Sequence, residues 1–213
     1  FTVNLTNARS SGCSSSVMIA DNGGDATILD DDEISIDIDD LITAEGTNGT
    51  TPFVFTVTMT LPSQQTIEVD YWTAQGTAIS DIGYTHTAGT LMIAPGNTQG
   101  TINIGVVANS LNECDEDFVL NLTNARSSGC SSSVSIADNQ GHATIIDDDG
   151  IDITIDDVAQ VEGTNGTTPF VFTVSMNLVS AQTIKVDYET AQGTASSAGD
   201  YGHVFGTLNF APG

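Results

Sequence analysis

The chain has 213 residues, with 28 acidic and 3 basic side chains and a formal charge of −25 at neutral pH. That balance argues against nucleic acid and anionic membrane surfaces as partners, since both are held by Lys and Arg. It favours divalent cations or a surface adapted to salt. No run of about 18 apolar residues is present, so no segment is expected to insert in a membrane as a helix.

The dominant regularity is a repeat. Residues 1–32 return as 118–149 with 26 of 32 positions identical, and 33–96 return as 150–213 with 42 of 64 identical, both at a shift of 117 and without insertions. A solenoid rung has about 20–50 residues, whereas a unit of this length can bury a core of its own. The expected division is the C-terminal part of one unit (1–32), a complete unit (33–149) and the N-terminal part of the next (150–213).

In chain order, the complete unit reads as short strands. Phe53, Phe55, Val57, Met59 and Leu61 alternate with Val54, Thr56, Thr58 and Thr60. Ile67, Val69 and Tyr71 follow, then Ile102, Ile104 and Val106, then Phe118, Leu120 and Leu122, and finally Val134, Ile136 and Ile145. Period-two alternation with one apolar face marks sheets packed on a single core. Turn signals separate the runs at Thr47–Thr50, Gln75-Gly76, Ala94–Asn97 and Asp138–Gly141. No helical stripe is present. The pattern predicts an all-β fold, a tandem of antiparallel β-sandwiches with about seven strands per complete unit. Asp147–Asp149 run almost directly into Ile151–Ile153, so successive sandwiches are expected end to end with little freedom between them.

Cys13 and Cys130 are equivalent under the repeat, and a whole unit carries Cys114 and Cys130. An even pair per unit points to a disulfide between Cys114 and Cys130; two unrelated thiols are the other reading. C-x-x-C zinc spacing is absent.

Carboxylates gather in three segments: Glu45-Gly46 (repeated at Glu162-Gly163), Glu113–Asp117, and the triplet Asp147–Asp149 (also Asp30–Asp32). If the three segments share an end of the sandwich, their charges repel unless a hard cation binds them. Calcium takes six to eight oxygens in flexible geometry, and the lack of His argues against zinc or copper. Solvated turn aspartates are the alternative that the residues alone leave open.

Other features point away from catalysis. Ser14–Ser16 and Ser131–Ser133 have only His86, His142 and His203 as possible bases, none in a triad context. No EF-hand loop exists. Trp72 is replaced by Glu189 in the next copy, which makes it a solvent-face strand residue. The sequons at Asn4, Asn48, Asn121 and Asn165 carry glycans only if the source glycosylates.

The order apolar-Glu-Gly, a Phe-rich strand, then Val69–Ala78 (VDYWTAQGTA) resembles Calx-β domains. So do Tyr84, Gly89-Thr90-Leu91, Pro95–Thr98, Glu113-x-x-Glu116-x-Phe118 and the closing Asp147–Asp149, with Asp200-Tyr201 and Gly206–Gly213 in the third segment. The resemblance implies an immunoglobulin-like sandwich that binds calcium at one end, through Glu45, Glu113, Glu116, Asp147, Asp148 and Asp149. It also implies two departures. The aspartate expected before the loop tyrosine is Gly83 here, with Asp81 two residues earlier, and an acidic pair becomes Ala108-Asn109, of which Asn109 offers a carbonyl oxygen. Fewer and weaker ions are therefore expected. The incomplete segments bring only Asp30, Asp31 and Asp32, or Glu162 and Asp200.

The expected function is an extracellular structural repeat protein (adhesin, stalk or filament) stiffened by calcium at its domain ends and without enzymatic activity. Its expected partners are neighbouring units of the same or an identical chain. A regulatory calcium-sensing module attached to a transporter or enzyme is the alternative, and an acidic array that needs no metal is a third reading.

Overall fold

The computed structural model describes residues 1–12, 16–29, 31–129 and 133–213. Among them are fifteen strands and no helix, so no helix is long and apolar enough to cross a membrane. The chain divides into two compact units, Phe1–Glu33 and Ile34–Gly213.

The first unit holds one antiparallel pair, β1 (Thr2–Asn4) with β2 (Gly23–Asp25). The second opens with a sandwich of β3 (Ile34–Ile38), β4 (Leu41–Ala44), β5 (Gly49–Met59), β6 (Ile67–Gln75), β7 (Ala88–Ile93), β8 (Gln99–Ala108), β9 (Glu116–Ser127), β10 (Val134–Ile136) and β11 (Gln140–Ile146). One sheet runs β10-β3-β5-β8 and the other β4-β11-β9-β6-β7.

The nine elements are seven strands of which the first and last are each split across both sheets. Asp39 and Asp40 make the first split. The Asp39 carboxylate accepts from Thr56 N (2.7 Å) on β5, while that of Asp40 accepts from His142 N (2.7 Å) on β11. Each side chain thus satisfies a backbone donor in a different sheet as the strand changes sides. The splits also create two parallel pairings, β10 with β3 and β4 with β11, where alternation alone predicts antiparallel neighbours.

The core follows the predicted alternation. Phe53, Phe55, Val57, Met59, Ile67, Val69, Ile102, Ile104, Val106, Phe118, Leu120 and Leu122 are all buried, whereas Leu61 lies past the end of β5 and is exposed. Phe118 is the hub. Tyr84 stacks on it at 4.4 Å, and Phe53 and Phe55 meet it at 6.1 Å each. Burying each such ring contributes about 1.5–3 kcal/mol. Gly141 is required beside this cluster, because a Cβ there would lie 2.6 Å from Asp39 O and 2.9 Å from the Phe55 ring. Trp72 faces solvent at 41% exposure, as the Glu189 substitution implies.

The sandwich is followed by β12 (Ile153–Ile155) paired with β13 (Val174–Met176), and β14 (Ile184–Glu189) paired with β15 (Phe205–Phe210). Every one of these pairs keeps the register of its counterpart 117 residues away. Ile153↔Met176 mirrors Ile36↔Met59, Ile184↔Phe210 mirrors Ile67↔Ile93, and Thr2↔Asp25 mirrors Val119↔His142. Burial is not repeated. Phe170 and Phe172 are 46% and 51% exposed, against 1% and 0% for Phe53 and Phe55.

Three consequences of the topology position the site. Parallel pairing brings the C-terminal ends of β4 and β11 side by side, with Ala44 opposite Ile146. Antiparallel β9 begins at that same end, with Glu116 opposite Ile145. The β8–β9 loop, from Ala108 to Glu116, closes over both.

Candidate metal centre

Glu45 follows β4 and Asp147–Asp149 follow β11, so adjacent parallel strands deliver both segments to one place. Carboxylate oxygens of Glu45, Asp147 and Asp149 all lie within 4.8 Å of one another. Glu45 is 6% exposed and Asp149 4%, which is unusual for acids without a cationic partner. Asp149 Oδ2 is buried and has no hydrogen-bond partner. Glu113 and Glu116 line the cleft beside this trio, together with Cys114 and Ile145.

The loop is held by the acids themselves. Asp147 Oδ2 accepts from Glu113 N (2.9 Å) and from Asn112 Nδ2 (3.2 Å), and Asp147 N donates to Asp115 Oδ1 (3.1 Å). Asn112 Nδ2 also donates to Asp149 O (2.8 Å). Strand alternation turns Asp148 outward, where its Oδ1 accepts from Gly46 N (3.0 Å) and fixes the turn after Glu45. Asn112 carries no signal in the sequence, and Asp115 stands out only as part of the acidic segment 113–117, because their roles depend on a loop conformation with no local pattern.

Burial pushes Glu45 up to about 7 from its ordinary 4.5, and the charges of Glu113, Asp147, Asp149 and Asp148 add to this. Burial also raises Glu113, with help from Asp147 and Asp149, and Glu116, with help from Glu113 and Asp117. Asp149 is raised by burial and then by Asp147 and Asp148. A carboxyl whose folded value exceeds its unfolded one keeps its proton more firmly in the fold. Its contribution is complete below the unfolded value and lost as pH rises through the folded one. The metal-free chain is therefore expected to lose stability between about pH 4.5 and about 7, the window set by Glu45. A urea series across that window checks this; a midpoint that stays level or climbs with pH would count against a buried acid cluster. A bound cation competes with the Glu45 proton, so affinity rises over the same window.

The other sequence-predicted ligands are placed as follows. Asn109 directs its Nδ2 to Glu45 Oε1 (3.2 Å), while its Oδ1 accepts from Leu111 N (2.6 Å). The backbone donor dictates that orientation, so the carbonyl expected to face a cation is turned away. Asp81 is exposed in its own turn at φ 62°, with Oδ1 accepting from His86 N (3.0 Å), and does not line the cleft. Gly83 lines it instead, and a Cβ there would lie 3.0 Å from Glu116 Oε2. Position 83 is therefore the one from which an aspartate would reach the acids, and this unit has no side chain there. Glu162 and Asp200 are exposed and not brought together; Asp200 Oδ2 accepts from Ser196 N (2.7 Å). Asp31 and Asp32 are exposed in the first unit, and Asp30 lies outside the described residues.

The expected Cys114–Cys130 pairing involves Cys130, which lies outside the described residues. Cys114 Sγ accepts from Gln182 Nε2 (2.7 Å).

The donor set fits a hard cation. It consists of oxygens alone, includes a buried carboxylate oxygen left without a partner, and contains no His. Such a set suits calcium better than magnesium, which demands a tighter octahedron.

The sequence matches known proteins over much of the chain. The model of the Calx-beta domain matches residues 30–149 and 147–213. Sodium/calcium exchanger 1 of Rattus norvegicus is 31% identical over 163 residues, covering 68% of this chain and 16% of the exchanger. Sodium/calcium exchanger 2 of Homo sapiens is also 31% identical over 163 residues, covering 68% and 17%. The chain thus spans about a sixth of the length of the curated relatives it matches. Among solved structures, CBD12 from CALX1.2 superposes with a TM-score of 0.48 at 24% identity, over 84% of this chain and 72% of that one. The apo-form Calx CBD1 domain gives 0.47 at 24% identity, over 55% and 98%.

Proposed function

The chain belongs to the Calx-β domain family, and from that premise we propose that it is a tandem calcium-binding module of the regulatory, calcium-sensing kind. Glu45, Asp147 and Asp149 hold the ion, Glu113 and Glu116 complete its surroundings from the β8–β9 loop, and the loop passes the bound state on to the following segment. The buried Asp149 Oδ2 without a partner, beside two further buried or half-buried carboxylates, carries this reading. The ion supplies charge compensation and loop order, and no chemical step is involved.

The route from site to neighbour is short. Asn112 donates to both Asp147 and Asp149, and its backbone pairs with Ser180 of the following segment. Calcium that fixes the Asp147–Asp149 segment therefore also fixes the residue that grips the next unit. The exchanger names of the relatives support a regulatory setting for such a device.

A second reading, an extracellular stalk or filament stiffened by calcium, is supported by the near-identity of the units and their direct junction. Affinity separates the two. Sensors bind at about 10⁻⁷–10⁻⁵ M and extracellular modules at about 10⁻⁴–10⁻³ M. Calorimetric titration with calcium is expected to give the tighter class, with protons released below about pH 7 as Glu45 ionises. Binding in the weaker class transfers the chain to the structural reading, and no heat of binding at all defeats both.

A further inference from the structure

We propose that the mouth of the acid cleft, formed by Ile79, Ile82 and Val107, docks a basic segment of a partner protein, an arginine between apolar residues, and that calcium releases it. Docking rests on the geometry of the mouth. Release rests in addition on the reading of Glu45, Asp147 and Asp149 as the ion site.

Ile79, Ile82 and Val107 line the cleft together with Glu45, Glu113 and Glu116. The three apolar residues are 52%, 67% and 38% exposed, whereas Glu45 is buried and the other two glutamates are half-buried. Apolar side chains thus stand at the entrance and carboxylates lie deeper. Gly83 keeps the passage open, since a Cβ there would lie 3.0 Å from Glu116 Oε2.

The fold does not need isoleucine at either position. The turn closes with Ile82 N donating to Ile79 O (3.1 Å) and Gly83 N to the same oxygen (2.8 Å). One period later Gly199 N donates to Ser196 O (3.3 Å) and Asp200 N to Ser196 O (2.8 Å), so the same turn forms with Ser196 and Gly199 in place of the isoleucines. Nor does the exposure come from a loose segment. Asp81 N donates to Tyr84 O (2.7 Å), Asp81 Oδ1 accepts from His86 N (3.0 Å), and Val107 N on β8 donates to Gly83 O (2.9 Å). Two large apolar side chains are therefore held out to water at fixed places that the next copy fills with small residues. A rim fixed in this way has little freedom to lose on binding.

Charge selects the occupant. A wholly apolar ligand would dry the half-buried glutamates and leave them unpaired. An arginine lays its methylene stem along the isoleucines and donates from its guanidinium to Glu113 and Glu116, in the forked geometry that suits carboxylates. The charge of −25 draws such a segment in from a distance. The chain itself has three bases, of which Arg126 is held by Glu68 (2.7 Å) and Asp70 (3.0 Å), so the segment is assigned to a partner protein. Calcium opposes docking, because the ion draws on the same glutamates and sets its divalent charge beside the guanidinium.

Nuclear magnetic resonance of the isotope-labelled full chain tests this in about 0.15 M salt, where exposed charges are screened beyond about 8 Å. The probes are three blocked peptides, Leu-Arg-Leu, Ser-Arg-Ser and Leu-Gln-Leu, each extended by glycines. In chelator, Leu-Arg-Leu is expected to shift the amides of Ile82, Gly83 and Val107, with an affinity at least about tenfold above either control. Ile79→Ser combined with Ile82→Gly, the residues of the next copy, is expected to bring Leu-Arg-Leu down to the level of Ser-Arg-Ser and to leave calcium affinity unchanged. Absence of shifts at these amides, or equal affinities for Leu-Arg-Leu and Ser-Arg-Ser, overturns the docking mouth. A double variant that is folded by its melting curve and still binds Leu-Arg-Leu as the parent does overturns it too. Shifts of the same amides that grow with the concentration of the chain alone make the occupant a second copy and overturn the partner assignment. Saturating calcium is expected to weaken Leu-Arg-Leu at least about tenfold. Peptide that holds on while calorimetry shows calcium bound overturns release alone. Absence of calcium binding defeats release together with the sensor reading, and docking is then decided by the titrations in chelator.

Discussion

Saturating calcium is expected to raise the melting temperature of the metal-free chain by roughly 10 °C. Free calcium at a hundredfold excess over its dissociation constant stabilises by about 2.7 kcal/mol, and a domain of this size gains about 3–5 °C per kcal/mol. The substitution Asp149→Asn separates the two sources of that shift. It removes a buried charge that Asp147 and Asp148 repel, so the metal-free variant is expected to melt higher than the parent. It also removes an ion ligand, so the calcium increment disappears. Opposite signs in the two states are the signature of a cation site, because a merely structural residue would lower both. Asp148→Asn, on an exposed side chain bonded to Gly46 N, keeps most of the increment. Differential scanning calorimetry with calcium and with chelator reads all of these. An equal calcium increment in parent and Asp149→Asn would falsify the assignment of that ligand.

Phe55→Ala is expected to destabilise the complete unit by about 3–5 kcal/mol, and Phe172→Ala by under about 1 kcal/mol, though both lie in the same FVFTV stretch. Phe55 is 0% exposed and its ring meets Phe118 edge-on at 6.1 Å, so truncation leaves a cavity among Phe53, Phe118 and the Asp39–Gly141 contact. Phe172 is 51% exposed and has little burial to lose. The first loss is a large part of a typical domain's 5–15 kcal/mol. Trp72, the one tryptophan of the chain, sits on β6 and reports unfolding of the complete unit by fluorescence in urea. Equal costs at the two phenylalanines would mean that Phe172 is packed in a core as Phe55 is.

Much of the site is legible in the amino-acid sequence, and the reasons are physical. Glu45, Glu113, Glu116 and Asp147–Asp149 stand at strand ends, and a sandwich has only two ends at which its loops gather. The division of labour among them is not legible. Asp147 and Asp149 turn inward while Asp148 turns out to Gly46, a consequence of strand alternation whose phase depends on the pairing of β11 with β4. Asn109 has an oxygen to offer a cation, but Leu111 N takes it. Asp81 is close to Tyr84 along the chain, but a turn at positive φ directs it to His86.

The sequence by itself determined the period of 117, the all-β alternation and an acid set built from oxygen alone. These are local or periodic properties, and they survive in the isolated strand pairs as well as in the complete sandwich, where even the register repeats. Only the tertiary structure decided which copy of FVFTV is core and which is surface, and which carboxylates lose their water. Both outcomes require strands from distant parts of the chain. A Phe is buried once a second sheet covers it, and an aspartate loses its water once β4, β9 and β11 end side by side. The same residues at the same spacing therefore form a core and a candidate calcium site in residues 34–149, and exposed strand pairs elsewhere.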